Sequence, residues 1–149
     1  MILLLSRCGV TSANGDPQLI QTDTFEGVIF DSHMAQERSM PYFLDNVDDY
    51  WVPTPDDVMQ VEAGLADYLQ QNAQPEYTRL RQHLSEYKRQ YVGIIQNGQP
   101  SIYVNCVCIE FSNWENSFNV VIEGGDCFFQ LQYDVENKRY FNLQVYGAA

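Results

Sequence analysis

Residues 90–111 read QYVGIIQNGQPSIYVNCVCIEF, and the Asn97-Gly98 pair near their centre decides how the surrounding chain folds. A two-residue type I′ turn needs positive φ at both central positions, which Asn and Gly adopt at little steric cost. On either side, residues 90–96 and 101–111 are rich in β-branched and aromatic side chains, so the stretch is expected as an antiparallel hairpin.

Working outward toward the C-terminus, the hydrophobic period stays at two and three more turn signals follow, at residues 112–116, at Gly124-Gly125 and at residues 135–137. They predict strands over 117–123, 126–134 and 138–146, five in all and joined as an antiparallel meander. A two-residue Gly124-Gly125 loop sets Ile122 opposite Cys127, Val120 opposite Phe129 and Phe118 opposite Leu131. A three-residue loop at 135–137, with Asn137 left-handed, then sets Leu131 opposite Phe141, Phe129 opposite Leu143 and Cys127 opposite Val145. A four-residue loop would instead pair Leu131 with Asn142 and expose half the core. The expected outer face carries Gln130, Gln132, Tyr140, Asn142, Gln144 and Tyr146, polar and aromatic with little charge. These six residues form the candidate interaction face, Tyr supplying area and Gln supplying donors and acceptors.

Working toward the N-terminus, Thr54-Pro55-Asp56-Asp57 opens a helix with a capping hydroxyl, a proline at the first helical position and two carboxylates at the positive end of the helix dipole. Val58, Val61, Leu65 and Leu69 give it one apolar stripe, which runs out near Asn72 and Pro75. Tyr77, Leu80, Leu84 and Tyr87 keep helical spacing and predict a second helix. Arg79, Arg81, Lys88 and Arg89, half of all the basic side chains, lie along or just beyond it, either as an anion-binding patch or as a solvated face.

The expected fold is therefore α+β: two helices packed on a five-stranded antiparallel meander sheet, over residues 53–149. This arrangement resembles the cystatin-like or NTF2-like class of folds. Residues 1–52 are expected as an acidic tail and extended arm, with one strand over 25–31. The acidity is concentrated there: residues 1–57 hold ten acidic and two basic side chains, net −8, of the −12 carried by all 149 residues. With pI near 4.2, a general phosphate-backbone binder is excluded, and nucleic acid with it.

No transmembrane segment is expected. Ile2 to Leu5 followed by Cys8 resembles the tail of a bacterial lipoprotein signal and makes Cys8 the candidate lipidation site and lipid anchor, although Arg7 stands where such a signal has a small residue. If strand order follows chain order, Cys127 lies two strands, about 9.5 Å, from Cys106 and Cys108. A disulfide needs Cα atoms within about 7 Å, so buried free thiols are expected. Asp45, Asp48 and Asp49 lack the alternating ligands and glycine of a calcium loop. His33 and His83 stand in no catalytic motif, so no catalytic, metal or cofactor site is assigned.

The segments Tyr87 to Ile94, Asn97-Gly98, Ile102 to Asn105, Gly124 to Phe129, Tyr133-Asp134 and Leu143 to Ala149 resemble a family of small uncharacterised bacterial proteins that often carry lipoprotein or secretory signals. The resemblance implies a bacterial, extracytoplasmic setting and no activity. The function expected is a non-enzymatic binding or protein-interaction module whose partner is a protein or small ligand. The alternatives are a small NTF2-like enzyme with a pocket between sheet and helices, and an acidic immunity-type protein neutralising a basic toxin.

Overall fold

The computed structural model describes residues 16–41, 44–109, 112–119 and 125–145. Seven strands form one sheet: β1 (Gln18–Gln21), β2 (Glu26–Ile29), β3 (Asp49–Trp51), β4 (Lys88–Gln96), β5 (Gln99–Val107), β6 (Phe128–Asp134) and β7 (Arg139–Val145). Helices α1 (Ser32–Glu37), α2 (Pro55–Asn72) and α3 (Thr78–Gln82) complete an α+β architecture. The strand order is β1-β2-β4-β5-β6-β7, antiparallel throughout except for the parallel β2–β4 pair. Among the described residues no helix is long and apolar enough to cross a membrane.

The β4–β5 hairpin forms as its turn residues require. Asn97 and Gly98 sit at φ 50° and 75°, and Gln96 pairs with Gln99. Helix α2 starts where the sequence places it, with Thr54 and Asp57 exchanging hydrogen bonds in a capping box. Its stripe of Val58, Val61, Leu65 and Leu69 is fully buried on one face of the sheet, against Tyr91, Ile102, Val104, Phe129 and Leu131. Each such side chain contributes roughly 1.5–3 kcal/mol by leaving water. The second helix is shorter than expected. It ends after five residues, His83 leaves helical geometry at φ −127°, and the chain continues as a single 3₁₀ turn over Leu84–Glu86 before entering β4.

The front of the chain corrects the expectation of an arm. Residues 18–51 supply three of the seven strands and α1, and they complete the sheet. β4 is long enough to take two partners along one edge, β2 against residues 88–91 and β3 against residues 93–95. Gly93 permits the second pairing: a Cβ there would stand 2.3 Å from the Trp51 carbonyl oxygen. The far face of the sheet is covered by α1 through Met34 and Ala35, by Met40, and by Trp114 and Phe118 from the segment between β5 and β6.

That segment corrects the predicted strand over 117–123 at its described residues. Residues 117–119 follow an irregular path, residues 120–124 lie outside the described residues, and Phe118 packs on the face opposite Leu131 instead of beside it. With no strand intervening, β5 pairs directly with β6, and the 3₁₀ turn Gly125–Cys127 brings Cys127 against Cys108. Their Cα atoms are 5.0 Å apart and they form a disulfide, where free thiols were expected; among the described residues Cys106 alone remains a buried thiol.

The last turn also differs. Asp134 pairs with Arg139, so the loop has four residues, and the predicted loss of register is real: Asn142 and Leu143 together oppose Leu131. A β-bulge with Asn142 at φ 57° absorbs the extra residue and returns Leu143 and Val145 to the helix-covered face. The Asp134 carboxylate organises the loop by accepting hydrogen bonds from the Glu136 and Asn137 backbone and the Asn137 amide. These bonds hold its carboxyl below the usual range. A depressed folded-state value means the loop's contribution is complete at neutral pH and is lost as pH falls below about 4. Asp134→Asn should therefore cost stability at pH 7 but little at pH 2–3, the urea-unfolding curves of the two chains converging on acidification.

Candidate functional site

The sequence places six residues on one exposed face; the structure distributes them among three environments. Gln130 and Gln132 are buried, only 2% and 1% exposed, which corrects their assignment to an accessible face. Tyr140 is half-buried and points toward α2, while Asn142 and Gln144 are exposed. Tyr146 and Cys8 lie outside the described residues.

Gln130 and Gln132 belong to an amide ladder that crosses β4, β5, β6 and β7. Gln90 Nε2 donates to the carbonyls of Trp114 (2.6 Å) and Ser117 (2.7 Å), and its Oε1 accepts from Asn105 Nδ2 and the Asn119 backbone, both at 2.9 Å. Gln130 Nε2 continues the ladder to Asn105 Oδ1, and the Tyr103 hydroxyl donates to Gln130 Oε1. Gln132 bridges Gln96 and Ser101 and accepts from Asn142. An irregular segment laid on a sheet brings backbone groups that no strand pairs. The ladder supplies partners for them, so across β4, β5 and β6 this polar face is an interior surface.

Beneath α2 lies the other buried polar cluster. Arg89, 2% exposed, donates Nε to Glu62 Oε1 at 2.8 Å and Nη1 to the carbonyls of Leu84 and Tyr87 at 2.9 and 2.6 Å, with its guanidinium 5.3 Å from the Phe25 ring centre. Burial pushes the Glu62 carboxyl above its ordinary range while Arg89 pulls it back. Cys106 sits in this cluster with its thiol pushed up by the same burial. The other cations are engaged separately. Lys88 pairs with its cross-strand neighbour Glu26, Arg81 donates to the Gln70 carbonyl, and Arg79 reaches Cys108, so the basic run does not assemble an anion patch. His33 is exposed on α1 and His83 just past the end of α3, and among the described residues no three His, Cys, Asp or Glu side chains converge as metal ligands.

Because the α2–sheet interface is filled by its own side chains, the candidate site lies at the sheet's end instead. A cleft of about 530 Å³ opens where the tip of the β4–β5 hairpin meets the β6–β7 loop, lined by Gln96, Asn97, Gln99, Pro100 and Ser101 on one side and by Asp134, Arg139, Tyr140 and Phe141 on the other. The four-residue loop turns Phe141 away from the helix, leaving it 40% exposed. Tyr140, one residue earlier, anchors the strand: its ring packs 4.9 Å from both Tyr68 and Tyr133, and its hydroxyl donates to the Val61 carbonyl. A second groove, about 440 Å³, runs between the end of α2 and β7, past Tyr68, Asn72, Tyr77 and Leu143.

Acidic residues border the cleft. Asp48 accepts from the Asn97 backbone at 2.7 Å, and the Asp45 carbonyl accepts from Gln96 Nε2 at 3.0 Å, so residues 45–49 are fastened to the hairpin tip. Asp45, Asp48 and Asp49 are all exposed. Phe141 and this acidic border escaped the sequence reading because one depends on an unforeseen bulge and the other on the front segment joining the sheet. No family model, curated protein or solved structure matches this chain.

Gly64 shows how tightly the site is tied to α2, since a Cβ there would stand 3.0 Å from the Tyr140 hydroxyl. Gly64→Ala should lower stability in the wild-type chain despite alanine's higher helix propensity. In a chain already carrying Tyr140→Phe, the same substitution should raise stability by up to about 1 kcal/mol. Chemical denaturation of the four chains measures this reversal.

Proposed function

We propose that the protein is a non-enzymatic binding and protein-interaction module of the bacterial cell envelope, and that its contact surface is the cleft at the β7 end of the sheet. The observation that carries this reading is the exposed Phe141 beside Pro100 and Tyr140, set among the amides of Gln96, Asn97 and Gln99. An aromatic anchor surrounded by neutral hydrogen-bonding groups is the composition that protein interfaces favour. The Cys108–Cys127 disulfide supports an oxidising, extracytoplasmic setting. One long helix packed on the antiparallel β4-β5-β6-β7 meander supports the cystatin-like or NTF2-like comparison.

The second reading, an immunity-type protein that neutralises a basic toxin, is favoured by the exposed Asp45, Asp48 and Asp49 bordering the same cleft. Opposite charge at an interface rim accelerates encounter and makes it salt-sensitive.

Capture from envelope extracts with the full chain, quantified by mass spectrometry, tests both. The partner enriched by wild type should be lost with Phe141→Ser and retained with Gln71→Ala. Equal retention by Phe141→Ser would overturn the assignment. Under the second reading the partner is basic, and Asp45→Asn with Asp49→Asn slows its association at low salt more than at high salt.

A further inference from the structure

We infer that Cys108–Cys127 is an exchangeable disulfide, with Cys108 the sulfur attacked by an external dithiol and Arg79 the cation that carries the resulting thiolate. The inference stands apart from the proposed contact surface. Arg79, exposed on α3, places Nη1 3.0 Å from Cys108 Sγ, and its backbone N–H points to the Asp126 carboxylate at 3.4 Å, holding α3 against the turn that contains Cys127. The two residues differ in exposure: Cys108 is partly exposed, whereas Cys127 is 5% exposed. Cys106, two residues earlier on β5, is fully buried beside Arg89 and takes no part.

The chemistry follows from this asymmetry. An incoming thiolate, drawn by the guanidinium, attacks Cys108 Sγ; the Cys108–Cys127 bond breaks, and Cys127 leaves as a thiolate and takes up a proton. The second thiol of the reductant then attacks its own sulfur in the mixed disulfide and displaces Cys108 as a thiolate beside Arg79. The reductant is oxidised by two electrons to a disulfide and the protein disulfide is reduced by the same two. A neighbouring cation both favours the thiolate and makes it the better leaving group. Beside Arg79, the Asp126 carboxylate is the charged group at the turn that holds Cys127; Tyr87, whose hydroxyl donates to the Asp126 carbonyl and which also feels Glu86, and Cys106 are both held neutral by burial.

The test uses dithiothreitol on the folded full chain, with the freed thiols counted by iodoacetamide labelling and mass spectrometry. Cys108 and Cys127 should become labelled while Cys106 stays protected. Arg79→Gln should slow reduction about tenfold at neutral pH, and Arg79→Lys should recover most of the rate. In the reduced chain the labelling midpoint of Cys108 should lie below the ordinary thiol value of about 8.5, and about one pH unit below that of the Arg79→Gln chain. Labelling of Cys106 in step with the pair would show that reduction proceeds through unfolding and would overturn the inference, as would equal rates for wild type and Arg79→Gln. If Arg79→Gln does not fold, Cys106 protection and the wild-type Cys108 midpoint decide the matter alone.

Discussion

The guanidinium of Arg89 is the constraint on which the rest of the structure depends. A cation this deeply buried is costly unless its donors are met, and here Glu62 from α2 and the carbonyls of Leu84 and Tyr87 meet them at once. The apolar stripe of α2 supplies most of the adhesion but is indifferent to small rotations of the helix. The directional ion pair is not. It selects one azimuth for α2, and that azimuth presents the Val61 carbonyl and the bare backbone of Gly64 to Tyr140. Through Tyr140 the setting of the helix reaches β7, and hence the position of Phe141 at the cleft.

On the other face the amide ladder performs a corresponding task by different means. Gln90, Asn105 and Gln130 come from three adjacent strands, and together they fasten Trp114 to Asn119 over the sheet. Covering the face with a segment of irregular chain, instead of another strand, frees β5 to pair with β6. That direct pairing is what brings Cys108 and Cys127 together. The disulfide, the buried amides and the direct β5–β6 pairing are thus one structural decision.

The residues differ in how plainly the sequence announces their roles. Thr54-Pro55-Asp56-Asp57 and Asn97-Gly98 act locally, through capping and turn geometry, and they behave as their chemistry dictates. The period-two pattern of β6 also declares which residues share a face. It does not declare whether a polar face meets water or a stretch of chain in need of hydrogen-bond partners, because Gln130 and Gln132 satisfy either. Side-chain alternation favours a three-residue loop after Asp134, yet the chain takes four; the compensation, a single left-handed Asn142, is a local device that alternation does not encode. In the front segment the strand over 25–31 is legible and forms as β2, but β1, β3 and the pairing with β4 are not, because these strands are short and β2 and β3 meet β4 across long sequence separations. Phe141 is a surface residue only because the loop before it has four residues, a length the bulge after it makes tolerable.

A double-mutant cycle on Glu62→Leu and Arg89→Met, followed by urea unfolding, examines the buried ion pair most directly. If the pair sets the helix, each single variant strands a buried charge and loses about 3–5 kcal/mol, and the double variant loses far less than the sum of the two. Single losses under about 1 kcal/mol that simply add would contradict it, placing the registration of α2 in its apolar stripe alone.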